Sequence, residues 1–438
     1  MDWPLTLCLM LGGLVLLLAI GLPVAFGFIA VNVVGAFFIL GGENGLVQMA
    51  RNSVQSVSSF QLVPIALFIL MGEIMFQCRL AHRAIDAVDR VVTRIPGRLS
   101  IVSVLAGTIF AALSGSTIAN TAMLGSTLLP SMLKRGYHPM LAMGPIMGSG
   151  AIAMLIPPSA LAVLVGSLAG ISIAGLLVAG IIPALILSAL FVAVIISVAT
   201  LRPQYAPSDD LPEMDLWSRW QPFLVHVVPL SGIFVVVIGS LLAGLATPSE
   251  SAALGCVAAL IAAAAYRSVS ADALMTAVME TVKLSVMILF IIAASQTFSQ
   301  ILSFSGATRG LIGLIEAYDL TPMQILLGII LILLFLGCFI DQVSMLMVTV
   351  PIFVPLAASA GIDKIVLGVI YLLTMEIALL TPPFGLLLFV MQGVAPPQIR
   401  MRDIYSAVVP FLAAKLFVLA LVVLFPLLGT WLPAQLGR

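Results

Sequence analysis

The chain has 438 residues, of which 62% are hydrophobic and 8% charged, and its 18 basic and 18 acidic side chains give zero formal net charge. A soluble chain carries about a quarter charged residues, whereas here apolar runs long enough to cross a hydrocarbon core of about 30 Å recur along the sequence. That composition excludes an ordinary soluble enzyme or a basic nucleic-acid binder and predicts an all-α polytopic membrane protein. Cys8, Cys78, Cys256 and Cys338 lie singly, without metal-ligand or redox spacing. The histidines His82, His138 and His226 are scattered, and there is no HExxH, GxSxG or phosphate-binding loop, so no enzymatic activity is expected.

The first apolar run, from Leu5, lacks a basic leader and a small-residue cleavage site, so a cleaved signal peptide is not expected. In chain order, residues 3–20 are expected to come in from outside, 22–41 to go out and 61–78 to return to a basic cluster. That cluster, "RLAHRAIDAVDRVVTRIPGR", is an amphipathic surface helix whose five arginines mark the cytoplasmic side. Lys134 and Arg135 form the next basic pair. As one helix, residues 99–133 between the two basic groups would run for roughly 52 Å, too far for one crossing. The stretch must therefore enter and leave on the same side, as a re-entrant hairpin whose tip is the Ser/Gly/Asn-rich "LSGSTIANTA" at 113–122. Residues 140–170 then cross outward, 174–200 return, and a polar linker follows at 202–221. Spans at 222–243, 249–266 and 284–303 lead to an amphipathic piece, "GATRGLIGLIEAYD". A second hairpin at 321–357 and crossings at 365–396 and 407–430 complete the map. It puts both termini outside and 13 of the 18 basic residues in the cytoplasm.

Pro130, Gly136, Pro157 and Pro158 recur 225 positions later as Pro355, Gly361, Pro382 and Pro383, and "IAMLIPP" aligns with "IALLTPP". The first hairpin is flanked by seven basic residues, the second mainly by Glu316, Asp319 and Asp363. The two halves, 1–201 and 222–438 around the linker, are thus expected to be inverted-topology repeats. In secondary transporters the substrate and ion sites lie at the broken helices of such repeats. Each half carries a crossing interrupted at Pro-Pro, where proline removes an amide donor and frees carbonyls inside the membrane. Freed carbonyls facing a hydroxyl-rich hairpin tip are hard oxygen ligands, suited to a small cation such as sodium. Thr247, Pro248 and Glu250 fit a helix start, with Thr247 as cap. Glu73 and Glu376 are intramembrane carboxylates and hence functional candidates. A salt bridge to Arg79 competes for Glu73, and a bond to hairpin backbone competes for Glu376. Gly144 and Gly148 suggest close helix contacts.

Over nearly its whole length the chain resembles the large membrane subunit of tripartite ATP-independent periplasmic (TRAP) transporters. The resemblance is carried by "FILMGEIMFQCRLAHRA", "SGSTIANTAMLGSTLLPSMLKRGY", "LIPPSALAVLVGSLAGISIAGLLVAGIIPALIL", "GLATPSESAALG" and "MEIALLTPPFGLLLFVM". It implies an elevator-type fold of the divalent-anion/sodium-symporter kind in a bacterial inner membrane. It also implies sodium-coupled import of an organic acid such as a C4-dicarboxylate or sialic acid. The partners implied are a small four-helix membrane subunit and a periplasmic substrate-binding protein; sodium is the coupling ion and no cofactor is implied. By motif, one sodium site falls on Ser114, Ser116 and Asn120 with the carbonyls of Ala153, Ile156 and Pro158. The other falls on Asp341, Ala378, Thr381 and Pro383. Ala153 is a departure, standing where glycine is expected in many members. Thr121, Ser149 and Glu376 are the further candidates for substrate contact or coupling. The alternative is a self-sufficient carboxylate carrier or antiporter of the same fold, needing no partner proteins.

Overall fold

A computed structural model describes residues 3–93, 95–114, 116–207 and 215–436. Among them the regular structure is entirely helical. The first group of helices is α1 (Trp3–Ala19), α2 (Val24–Ile39), α3 (Glu43–Val57) and α4 (Val63–Gln77), followed by the surface helix α5 (Leu80–Val91). The hairpin α6 (Arg98–Ser114) and α7 (Thr117–Lys134) comes next. It is followed by a helix broken between α8 (Pro139–Ala151) and α9 (Ala160–Ala169), then by α10 (Ile173–Ala179) and α11 (Ile181–Leu201). The second half begins with α12 (Leu216–His226), α13 (Val228–Leu242), α14 (Pro248–Ala265), the long α15 (Ala271–Phe304) and the short α16 (Ala307–Glu316). The hairpin α17 (Pro322–Gly337) and α18 (Gln342–Ser359), the broken pair α19 (Lys364–Ala378) and α20 (Leu386–Val394), and then α21 (Met401–Leu424) and α22 (Leu427–Leu436) complete it.

Seven helical segments among the described residues are long and apolar enough to span a membrane, including Phe60–Gln77, Ile173–Leu201, Ala271–Phe304 and Met401–Leu424. This is a multi-pass membrane protein. The spacing of 225 extends from the prolines to whole elements. Helix α7 runs from 117 to 134 and α18 from 342 to 359, so both ends are displaced by that number. Each of these helices ends alike. Gly136 (φ 80°) and Gly361 (φ 72°) take the left-handed conformation that glycine adopts without steric cost, and the residue after each donates back five positions, Tyr137 to Met132 and Ile362 to Ala357. Pro157–Pro158 and Pro382–Pro383 are both cis.

Some expected boundaries change. The linker placed at 202–221 is shorter, because α12 begins at Leu216 and continues past a kink into α13. The return crossing at 174–200 is divided at Gly180, which lies against the Leu155 carbonyl too closely for a Cβ. Helix α3 was not foreseen, because its residues are too polar for a span and carry no surface-helix charge cluster.

Helices α2, α3 and α4 pack against α15, and α4 packs against α14. Buried Asn32 on α2 donates to the Ala294 carbonyl of α15 at 2.5 Å. Helix α14 opens with the expected capping box between Thr247 and Glu250. Helices α6–α9 and α17–α21 form the other body of packing, centred on the two breaks.

Candidate functional site: two helix breaks and the hairpins beside them

The first hairpin tip abuts the first break. Helices α6, α7, α8 and α19 all contact the 3-10 turn Ile152–Met154 that separates α8 from α9. Ser116 caps α7, its side chain accepting from the Ala119 N–H at 3.3 Å. Asn120 is fully buried and its Nδ2 donates to the Gly107 carbonyl at 3.0 Å. Its Oδ1 has no hydrogen-bond partner, and neither has the buried Oγ1 of Thr121. Thr121 lies directly over Gly150, where any Cβ would strike its hydroxyl, and Gly107 is likewise pressed by Ser149. The Ser149 hydroxyl donates within reach of the Ser103 (3.2 Å) and Ile146 (3.3 Å) carbonyls. Ala153, Ile156 and Pro158 are buried around the same break. The side chain of Ser114 lies outside the described residues.

Two buried oxygens without donors cost about 1–3 kcal/mol each if nothing meets them. Both Asn120 Oδ1 and Thr121 Oγ1 are neutral and hard, so this donor set fits a small monovalent cation and not a thiolate- or imidazole-bound metal. Among the described residues no group of three or more His, Cys, Asp and Glu could hold a metal ion.

At the second break the hairpin tip again meets the broken helix. Gly337 touches Ala378, and the rings of Phe339 and Phe384 lie 5.9 Å apart. Asp341 occupies the place of Ser116 and does the same local work, capping α18 by accepting from the Ser344 N–H at 3.1 Å and from the Ser344 hydroxyl. Thr381 donates its hydroxyl to the Ile377 carbonyl at 2.8 Å, which leaves its lone pairs free. The Pro383 carbonyl already accepts from Tyr405 at 3.0 Å, so one of its two lone pairs is engaged. Tyr405 was missed because nothing in its own sequence neighbourhood connects it to the Pro-Pro pair.

The intramembrane carboxylates separate. Glu73 accepts from Gln77 on its own helix at 3.1 Å, and not from Arg79, the competing partner. Glu376 pairs with neither hairpin backbone nor solvent. Its Oε2 lies 2.7 Å from Nζ of Lys415 on α21, and both side chains are 0% exposed. Gly144 and Gly148 receive the ring of Phe411, the close contact expected of them.

A polar cleft of about 340 Å³ separates α3 and α15 from the end of α9. Asn52, Gln55, Ser56, Ser167, Gln296 and Gln300 line it, and none of its lining residues is charged. A second cavity of about 200 Å³ continues from Leu168 and Gln296 along Ser295, Ser299 and Ser303 to α18.

Residues 11–428 match the family described as tripartite ATP-independent periplasmic transporter, DctM component. The chain belongs to this family. This permease is 31% identical to the C4-dicarboxylate TRAP transporter large permease protein DctM of Pseudomonas aeruginosa, over 91% of this chain and 92% of that one. It is 30% identical to the sialic acid TRAP transporter large permease protein SiaM of Vibrio cholerae, over 95% and 96%. It is 28% identical to the ectoine TRAP transporter large permease protein TeaC of Halomonas elongata, over 97% and 98%. Among solved structures the permease fold is similar to the Alcanivorax borkumensis YdaH transporter, with a TM-score of 0.63, 13% identity and 91% of each chain covered. The Neisseria gonorrhoeae MtrF structure is similar with a TM-score of 0.59 and 16% identity, over 87% of this chain and 85% of that one. The permease is therefore a multi-pass inner-membrane transport component and not an enzyme.

Proposed function

We propose that this permease imports an organic acid by sodium-coupled secondary transport, moving the two hairpins and broken helices as an elevator against a frame built on α2, α4, α14 and α15. The single observation that carries the ion reading is the pair of buried oxygens without donors, Asn120 Oδ1 and Thr121 Oγ1, beside the first break. A cation there would satisfy both, and Ser116 with the Ala153, Ile156 and Pro158 carbonyls would complete its shell. Thr381, Asp341 and the carbonyls of Ala378 and Pro383 would form the second sodium site. No other coupling ion or cofactor enters this reading.

The first hairpin would be re-entrant from the cytoplasm and the second from the periplasm, with residues 1–201 and 222–438 as inverted repeats and both termini periplasmic. On that orientation the uncharged cleft between α3, α15 and α9 faces the periplasm, where a binding protein would release its solute. The relatives named for C4-dicarboxylate and sialic acid favour a carboxylate as that solute. The family's tripartite description favours a small membrane subunit and a periplasmic binding protein as partners.

The test is reconstitution in proteoliposomes. With a small subunit, a loaded binding protein and an inward sodium gradient, uptake from a panel of labelled dicarboxylates and sialic acid is expected, and potassium in place of sodium should abolish it. Uptake by the permease alone would instead favour a self-sufficient carrier. Uptake indifferent to sodium would reject the ion assignment.

A further inference from the structure

Helix α21 touches both broken helices through three of its residues. Tyr405 donates to the Pro383 carbonyl within the second break. Phe411 fills the hollow over Gly144 and Gly148 on α8, packing edge-on to Phe191 at 5.2 Å. Lys415 pairs with Glu376 at 2.7 Å, and its ammonium lies 5.7 Å from the centre of the Phe191 ring. Glu376 stands on α19 shortly before the second break. Helix α19 itself packs against the 3-10 turn Ile152–Met154 of the first break. This ion pair thus sits between the two interrupted helices.

Stability does not account for it. An ion pair taken fully out of water is often matched or bettered by apolar residues of the same volume. Charges kept inside a membrane protein mark function more often than packing. The carboxylate's Oε1 is buried without a hydrogen bond of its own, so the pair is not even fully satisfied.

We infer that Glu376 and Lys415 are positioning residues that lock the two breaks into one body, so that an ion bound at one break orders the other. This inference rests on the sodium-coupled reading above. The pair does not touch the ion; by fixing α19 to α21 it ties the 3-10 turn at the first break, against which α19 packs, to the second break at the end of α19. Coupling of this kind raises the Hill slope of ion binding above unity, towards the number of coupled sites.

The experiment measures the melting temperature of the purified permease in nanodiscs against sodium concentration, with choline keeping the ionic strength constant. The variants are E376Q, the apolar pair E376M/K415M, and L187A on α11 as a destabilised control. The wild-type protein should show a sigmoidal sodium response. E376M/K415M should fold and keep a sodium response, but with a Hill slope near unity and an apparent affinity about tenfold weaker. E376Q should move the slope in the same direction, and it decides the question if the double variant gives no folded protein. L187A should melt lower with its slope unchanged, which separates coupling from mere stability. A wild-type slope in E376M/K415M, or in E376Q, overturns the inference while leaving the sodium sites standing. No sodium response in the wild-type protein overturns the sodium reading and this inference together.

Discussion

The two broken helices have the same sequence plan and opposite surroundings. Around the first break Ala153, Ile156, Pro157 and Pro158 are all buried, enclosed by α6, α7, α8 and α19. At the second, Thr381 and Pro382 are half-buried, Pro383 is exposed and Phe384 is 56% exposed. A closed break must satisfy every freed polar group from within, and Asn120 Oδ1 and Thr121 Oγ1 beside it remain without donors. An open break can meet a solute, water or a neighbouring protein. Internal repetition therefore duplicates backbone geometry without duplicating environment, and the two halves are suited to different steps.

The largest effect is expected at Gly150. Its counterpart 225 positions on is Met375, a full-sized and buried side chain. Gly150→Val should drive a side chain into the Thr121 hydroxyl, abolish the sodium-dependent rise in melting temperature and cost about 1–3 kcal/mol from overpacking. Met375→Val, at the other break, should leave the sodium response in place. Equal effects would mean that the enclosed break holds nothing special.

The ligands come next. Asn120→Ala should weaken sodium dependence by ten- to a hundredfold, roughly 1–3 kcal/mol, since the amide also holds the Gly107 carbonyl. Thr381→Ala and Ser116→Ala should fall at the lower end of that range, with folding preserved. Sodium curves unchanged in all three would reduce the hairpin tips to packing.

The two broken helices also differ in how they start. Helix α19 is capped by Asp363, which accepts from Ile365 and Val366 at 2.8 and 3.0 Å. Asp363→Ala should lower stability by about 1 kcal/mol, read as a lower melting temperature.

Helix α8 is capped instead by His138, whose Nδ1 accepts from Met140 at 3.2 Å while its ring stacks on Tyr205. Burial, with the nearby Arg202 charge, holds the His138 pKa below its ordinary 6.5. The unfolded chain thus takes up this proton first. The stabilisation is complete above 6.5 and is lost as pH falls below that value through the lowered folded pKa. Acidification should therefore loosen the start of α8, and His138→Asn should flatten that part of the profile of melting temperature against pH. A profile identical to wild type would remove His138 as the cause.

Much of this frame was legible in the sequence because proline and glycine act locally. Pro157, Pro158, Gly136 and their counterparts fix where helices stop, whatever packs around them. Hydropathy placed the spans for the same reason. What could not be read was the rotation of one helix against another. Lys415 was recognisable as a charge within the last long span, but its partner Glu376 lies 39 positions away on a helix that only packing brings alongside. Tyr405 and Pro383 are separated by 22 positions and the same argument applies. The difference in exposure between the breaks also arises from the whole assembly, so no local pattern carries it.

The contact of Phe411 with Gly144 and Gly148 carries a consequence for synthesis. Gly148 is also met by Phe191 of the first half, but the hollow at Gly144 is complete 267 residues (144 to 411) before its filler is made. At the usual pace of translation that is a wait of roughly 13–53 s. During that interval the first half sits in the bilayer with a small-residue groove open along α8, ready to accept a lipid chain or another helix. A nascent chain paused before Met401 should therefore be the form in which insertion factors and membrane proteases find this protein, and slow codons in that stretch would lengthen their opportunity.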